Sequence, residues 1–160
     1  MSTLIVGVGD LAASNSAEDI IKTFALGSCV GVIVTAPAKG AAGLLHVALP
    51  DSRINPQLAL LEPGRFADTG VPALLQAMRR YGCETRDLIV KLAGGSNILD
   101  EQNRFEIGKR NILAIKKVLW MYRLGAIAED LGGNISRTVT VRIHGGGVLL
   151  STPGREDKLL

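Results

Sequence analysis

Residues 23–30 read T-F-A-L-G-S-C-V and join one apolar run to a second, β-branched run that continues to Thr35. Gly27 and Ser28 separate the two runs, which predicts that the chain turns there. Cys29 follows the turn directly, and backbone N–H groups at such a turn can point at a developing oxyanion. We therefore predict that Cys29 is a nucleophile and that Gly27 and Ser28 bind the oxyanion.

A base and an orienting group for this thiol are also present. A thiol is mostly protonated near neutral pH, so covalent catalysis by Cys29 needs a base and a third group that fixes the base. Residues 43–50 read G-L-L-H-V-A-L-P, and His46 lies seventeen residues after Cys29. The alternation of a strand places His46 on the same face as Leu44. His46 is the candidate base, and the Thr23 hydroxyl is the candidate orienting group.

The geometry of the turn decides whether these three side chains can meet. If Gly27 and Ser28 form a two-residue hairpin loop, Thr23 and Cys29 face opposite sides of the sheet. A three-residue loop that also includes Leu26, with a bulge at the glycine, puts Thr23 and Cys29 on one face. We predict the three-residue hairpin because it leaves room for an imidazole between them.

Ordinary structural roles compete with this hypothesis. Cysteine is often a small core residue, a histidine in an apolar strand is often a buried hydrogen-bonding group, and threonine is common in strands for packing reasons. We expect a core role for Cys83, which lies at a helix end. We expect His144, in I-H-G-G-G, to lie on a surface turn.

The apolar pattern predicts a domain that contains both strands and helices. Two helices are indicated by apolar faces: one from an N-cap at Asp68 or Thr69 to Gly82, the other from Gly108 to Leu124. Residues 50–70 are predicted to form an ordered loop with one helical turn at 58–61. Strands are predicted at residues 4–8, 30–35, 43–49, 88–93, 138–143 and 148–151.

Composition limits the classes of function. The 160 residues are 47% hydrophobic, which suits a single domain over residues 1–160. Eighteen Lys and Arg against fifteen Asp and Glu leave a net charge of +3, too little for a nucleic-acid partner. No apolar run long enough for membrane insertion occurs, so we expect a cytoplasmic protein with reduced thiols. Two cysteines and two histidines without zinc-ligand spacing predict no metal site.

Two glycine-rich stretches, at residues 93–97 and 131–137, lack the spacing of nucleotide-binding loops. They are compatible with tight turns, and equally with close approach of a polypeptide substrate to the backbone.

The chain resembles the CheD-type chemoreceptor glutamine deamidases of bacterial and archaeal chemotaxis. The resemblance rests on V-G-V-G-D, T-F-A-L-G-S-C-V-G-V, L-L-H-V-A-L-P, P-G-R-F-A-D-T, K-L-A-G-G-S, I-G-K-R-N and A-E-D-L-G-G-N-I-S-R, in family order. Ser136 and the closing I-H-G-G-G-V-L-L depart from the family pattern.

The resemblance implies Cys29 as nucleophile, His46 as base and Thr23 as the residue that orients the histidine. It implies an α/β fold of the α+β type, with mixed β-sheets packed together and two or three helices on the outside, similar to the deamidase domain of cytotoxic necrotizing toxins. The implied reaction converts glutamines on the cytoplasmic domains of methyl-accepting receptors to glutamate, with a possible glutamyl methylesterase side activity and no cofactor. The alternative is an adaptor that binds receptors and the CheC-type phosphatase without catalysis.

Overall fold

The computed structural model of the chain describes residues 1–98 and 105–160. Its helices are α1 (Pro56–Leu61), α2 (Ala67–Arg79) and α3 (Ile107–Met121). Its strands are β1 (Thr3–Ile5), β2 (Leu11–Ser14), β3 (Ile20–Leu26), β4 (Val30–Ala36), β5 (Ala41–Val47), β6 (Ile89–Gly94), β7 (Ala126–Leu131), β8 (Arg137–Arg142), β9 (Val148–Ser151) and β10 (Lys158–Leu159).

The strands form two five-stranded sheets. The first sheet has the order β1-β3-β8-β9-β10, and the second has the order β2-β5-β4-β6-β7. Both sheets are mixed, because β1 runs parallel to β3 and β6 runs parallel to β7, while the other neighbours are antiparallel. The α+β arrangement of mixed sheets and helices predicted from the sequence is confirmed.

Two layers of apolar side chains hold the elements together. One lies between the sheets, where Ile21 and Val139 of the first sheet pack with Ile33 and Leu44 of the second. The other lies between the second sheet and the helices. There, α2 buries Val71, Leu74, Leu75 and Met78, whose spacing puts them on one helical face.

The second sheet is therefore covered on both faces, and its central strands show this in their sequence. Every residue of β4 and of β5 is buried. A strand with two buried faces reads as a continuous apolar run rather than as an alternation, which explains V-G-V-I-V-T-A and A-A-G-L-L-H-V. His46 thus lies in the most deeply buried part of the molecule.

The predicted hairpin at Gly27 and Ser28 is wrong. β3 pairs with β1 and β8, whereas β4 pairs with β5 and β6. The chain crosses from one sheet to the other at residues 27–29 instead of folding back on itself. A bulge does occur, between Thr23 and Leu26, and Ala25 there has a positive φ of 54°.

The region before α2 is more regular than the sequence indicated. The helical turn at 58–61 is confirmed as part of α1, but α2 begins at Ala67, so an N-cap at Asp68 or Thr69 is wrong. The Asp68 carboxylate accepts hydrogen bonds from the backbone N–H and hydroxyl of Ser52 instead. Three strands were absent from the predicted set, namely β2, β7 and β10, and β3 was predicted only as the first arm of the hairpin.

No helix within residues 1–98 and 105–160 is both long and apolar enough to cross a membrane.

Candidate active site

The crossing between the sheets brings Thr23 and His46 together. Thr23 lies in β3 of the first sheet and His46 lies in β5 of the second, and both face the layer between them. Their side chains are 0% and 2% exposed, and Thr23 Oγ1 is 2.7 Å from His46 Nδ1. The pairing predicted from the sequence is therefore present, although it joins two sheets rather than two strands of one hairpin.

The hydrogen bonds of Thr23 fix the tautomer of His46. The Thr23 hydroxyl donates its one hydrogen to the carbonyl oxygen of Val6, at 2.6 Å. Because a hydroxyl has a single hydrogen, Thr23 Oγ1 must accept at its contact with the ring, so Nδ1 carries the proton. Nε2 is then unprotonated, and it has no hydrogen-bond partner among the described residues. His46 therefore presents a free basic nitrogen.

Cys29 lies at the edge of the same layer. β4 begins at Val30, and in its pairing with β5 Gly31 stands directly opposite His46. Cys29 precedes Gly31 by two residues, and its side chain packs against the apolar cluster between the sheets. It is partly exposed, whereas Cys83 is 2% exposed and lies in the apolar layer against the helices. The core role expected of Cys83 is confirmed, as is the exposed position of His144.

The three carbonyl groups of the crossing segment 27–29 are all held by hydrogen bonds. Gly27 O accepts from Ser96 N at 2.8 Å, and Cys29 O accepts from Gly95 N at 2.8 Å. Ser28 O accepts from the side-chain Nδ2 of Asn111 at 3.0 Å. The N–H groups of the same segment donate to no atom within the described ranges. The oxyanion role predicted for Gly27 and Ser28 requires N–H groups without such an acceptor, and it stays a prediction.

The first glycine-rich stretch is explained by this packing. Gly94 has a φ of 113°, and a side chain there would collide with the carbonyl oxygen of Cys29. The close approach that the glycines permit is thus made by the Cys29 segment of the chain itself. Gly132 N donates to Gly94 O at 2.9 Å, so the second glycine-rich stretch supports the first.

The Arg137 side chain binds both glycine-rich stretches. Its guanidinium is 4% exposed and donates to Gly94 O at 3.3 Å, to Gly132 O at 2.9 Å and to the carboxylate of Asp130 at 2.6 Å. A buried arginine with a carboxylate and two carbonyl partners has its charge and donors satisfied. The loops behind Cys29 are therefore fixed by a buried ion pair.

The surroundings of Cys29 and His46 favour the uncharged form of both side chains. Burial raises the pKa of the Cys29 thiol, and the positive charge of Arg65 opposes this rise. Burial, together with Arg65, lowers the pKa of His46 to about 4. At neutral pH the site therefore holds an uncharged thiol and an unprotonated imidazole, and Arg65 is the nearby charge that favours the thiolate.

Sequence reasoning missed Asn111, Ser96, Arg65 and Arg137. The position of Asn111 carried a usable signal, because it lies on the same face of α3 as buried Ile115 and Gly108. A polar residue on the apolar face of a helix indicates a specific partner in the core. No group of three His, Cys, Asp or Glu side chains in residues 1–98 and 105–160 is arranged to hold a metal ion.

Comparison with known proteins places these observations in a family. Residues 48–152 match the family model described as CheD chemotactic sensory transduction. A protein of Syntrophotalea carbinolica named probable chemoreceptor glutamine deamidase CheD is 47% identical over 157 residues, 97% of each chain. A Syntrophus aciditrophicus protein named probable chemoreceptor glutamine deamidase CheD 1 is 42% identical over 96% of each chain. The first of these matches is long enough to include the whole segment from Thr23 to His46. On these matches, the chain belongs to the CheD family.

Proposed function

We propose that the chain is a protein-glutamine deamidase that converts selected glutamines of methyl-accepting chemotaxis receptors to glutamate. The observation that carries the proposal is the hydrogen bond that fixes the tautomer of His46 beside the Cys29 segment. Relatives that carry the name chemoreceptor glutamine deamidase support the substrate class. The receptors' cytoplasmic domains are the proposed partners, and the cytoplasm is the proposed place of action.

The first half of the reaction forms a thioester. His46 Nε2 takes the proton of the Cys29 thiol as the sulfur attacks the side-chain amide carbon of the glutamine. The carbonyl oxygen becomes an oxyanion, which the N–H groups of Ser28 and Cys29 stabilise. The imidazolium then returns its proton to the departing nitrogen, which leaves as ammonia.

The second half regenerates the thiol. His46 takes a proton from water as the water oxygen attacks the thioester carbon, and the same N–H groups stabilise the second oxyanion. Collapse of this intermediate breaks the carbon–sulfur bond, the imidazolium protonates the sulfur, and the product is glutamate. A glutamyl methyl ester could follow the same route with methanol as the leaving group, and this is the proposed side activity.

The neutral resting pair supports a cysteine nucleophile activated by proton transfer during attack. With the pKa of the thiol raised and that of His46 lowered, a preformed thiolate–imidazolium pair is disfavoured. Substrate binding and attack on the amide carbon then accompany the proton transfer, and no cofactor takes part.

The test is incubation of the purified protein with receptor cytoplasmic fragments. Ammonia release is measured, and converted glutamines are mapped by mass spectrometry. Conversion of a small set of sites that requires Cys29 supports the deamidase. Tight binding of receptor fragments and a CheC-type phosphatase by a wild-type protein that releases no ammonia supports the adaptor instead.

A further inference from the structure

Asn111 is a buried side chain that spans the two parts of the site. It is 0% exposed and lies on α3, on the helix side of the second sheet. Its Nδ2 donates to Ser28 O and to Ala48 O, both at 3.0 Å. Ser28 immediately precedes the nucleophile, and Ala48 lies two residues after the histidine. One amide group therefore joins the segment that carries Cys29 to the strand that carries His46.

The bond to Ser28 O also determines where the Cys29 N–H points. A trans peptide unit is planar, and its C=O and N–H point in opposite directions. The C=O of Ser28 and the N–H of Cys29 belong to one such unit. Because Asn111 holds the carbonyl on the α3 side, the Cys29 N–H faces away from α3. The neighbouring unit is held in the same way, since Ser96 N holds Gly27 O.

The position of Asn111 is itself fixed by backbone packing. A side chain at Gly108, one turn earlier on α3, would collide with the carbonyl oxygens of Gly95 and Ser96. The first turn of α3 thus rests directly on the segment that holds Gly27 O and Cys29 O. A helix seated in this way has little freedom to move relative to the segment, so Asn111 is a rigid support.

We propose that Asn111 is a positioning residue of the oxyanion hole: it fixes the Ser28–Cys29 peptide unit so that the Cys29 N–H faces the reacting carbonyl. The inference rests on the proposed function for its physiological substrate, but not for the chemistry of acyl transfer to Cys29. Its role differs from that of His46, because Asn111 stabilises the oxyanion through the peptide unit and does not move the thiol proton.

Two reactions of Cys29 separate this role from a general structural one. Acylation by p-nitrophenyl acetate forms an oxyanion and needs the hole, whereas alkylation by iodoacetamide forms none and needs only the thiolate. Neither reagent requires a receptor. Asn111→Leu and Asn111→Asp preserve the approximate size of the side chain and remove its N–H donors. Ile115→Ala, one turn later on the same buried face, is the control for loosening of α3.

For each folded variant, both rates are measured at pH 7.5 with the Cys29→Ala protein as background. Asn111→Leu and Asn111→Asp should lower the acylation rate roughly tenfold to a hundredfold and change the alkylation rate less than about threefold. Ile115→Ala should leave the ratio of the two rates unchanged. A parallel fall in both rates, or no fall in either, would overturn the proposal. Failure of the wild-type protein to deamidate receptors would count against the proposed function and would leave this measurement valid.

Discussion

The two cysteines of this chain have a raised thiol pKa in common, but they differ in exposure and in the side chains around them. Burial raises the pKa of both thiols. At Cys29 the cation Arg65 opposes that rise, while at Cys83 the anion Asp87 adds to it and the cation Lys39 opposes it. Cys29 is partly exposed at the layer that contains His46, whereas Cys83 is 2% exposed among aliphatic side chains. A raised pKa alone therefore does not distinguish a nucleophile from a core residue, whereas the exposure of the residue and the polar groups around it do.

Removing each sulfur is the strongest test of this difference. Cys29→Ala should lower ammonia release from receptor fragments at least about a thousandfold, because no other group can form the thioester. Cys29→Ser should be nearly as inactive, since a hydroxyl is far harder to deprotonate. Cys83→Ala should keep activity within about twofold and lower the free energy of unfolding by roughly 1 kcal/mol through the small cavity it leaves. Comparable activity losses for the two alanine variants would contradict the comparison.

Acid should destabilise the fold through His46. Its pKa is about 4 in the folded protein, against an ordinary value near 6.5. Between these values the unfolded chain binds a proton that the folded chain does not, so stability falls as the pH falls. From pH 7.5 to 4.5, His46 should account for a loss of roughly 2 to 3 kcal/mol in the free energy of unfolding.

The measurement is urea denaturation of the wild-type protein and His46→Gln at both pH values. Between the two pH values, the variant should lose roughly 2 to 3 kcal/mol less in the free energy of unfolding than the wild-type protein. Equal losses in the two proteins would mean that His46 titrates at its ordinary pKa when folded. Activity should depend on the same group, so kcat/KM should fall as the pH is lowered through about 4, where His46 becomes protonated.

Thr23 should contribute less than Cys29, because its hydroxyl orients the base without reacting. Thr23→Ala should lower kcat roughly tenfold to a hundredfold, in the range of outer hydrogen-bonding partners that fix a histidine. Thr23→Ser keeps the donor to Val6 O and the acceptor for Nδ1, so it should retain most of the activity. Unchanged turnover in Thr23→Ala would exclude the hydroxyl from the mechanism.

The smallest expected effect concerns the reactivity of the two thiols towards a limiting dose of iodoacetamide. Cys29 should be labelled at least severalfold faster than Cys83 at neutral pH, because it is more exposed and because His46 is its proposed base. His46→Ala should slow labelling of Cys29 and leave that of Cys83 unchanged. Peptide mapping by mass spectrometry gives both rates in one sample, and equal rates would refute an activated thiol.

The sequence allowed the three central residues to be proposed, but not the way in which they meet. Thr23, Cys29 and His46 lie in two short motifs whose residue types suit the chemistry. The hairpin was wrong because Gly27 and Ser28 satisfy the local requirements of a tight turn. The pairing was decided elsewhere, by β8, which lies more than a hundred residues further along the chain and pairs with β3. Local turn propensity contains no information about such a distant strand.

The supporting residues were harder to predict for a related reason. The position of Asn111 on the apolar face of α3 indicates a buried partner, but it does not say which backbone carbonyl groups the amide binds. Ser96 contributes its backbone N–H. Because almost every residue has such a group, the residue type does not predict this contact. Arg65 acts through charge at a distance, and its proximity to Cys29 follows only from the folding of residues 50–66. Each of these contributions depends on tertiary contacts rather than on local pattern.

The separation of Thr23 and His46 onto different sheets has a consequence for the order of synthesis. The strand that carries Thr23 completes its pairing only with β8, so one edge of β3 lacks its partner until residues 137–142 have been made. A nascent chain of 130 residues would already contain Thr23, Cys29 and His46, but it would lack the strand that flanks β3 on its second side. The residues of the site are therefore made early, and the sheet that carries Thr23 is completed only by the last strands of the chain.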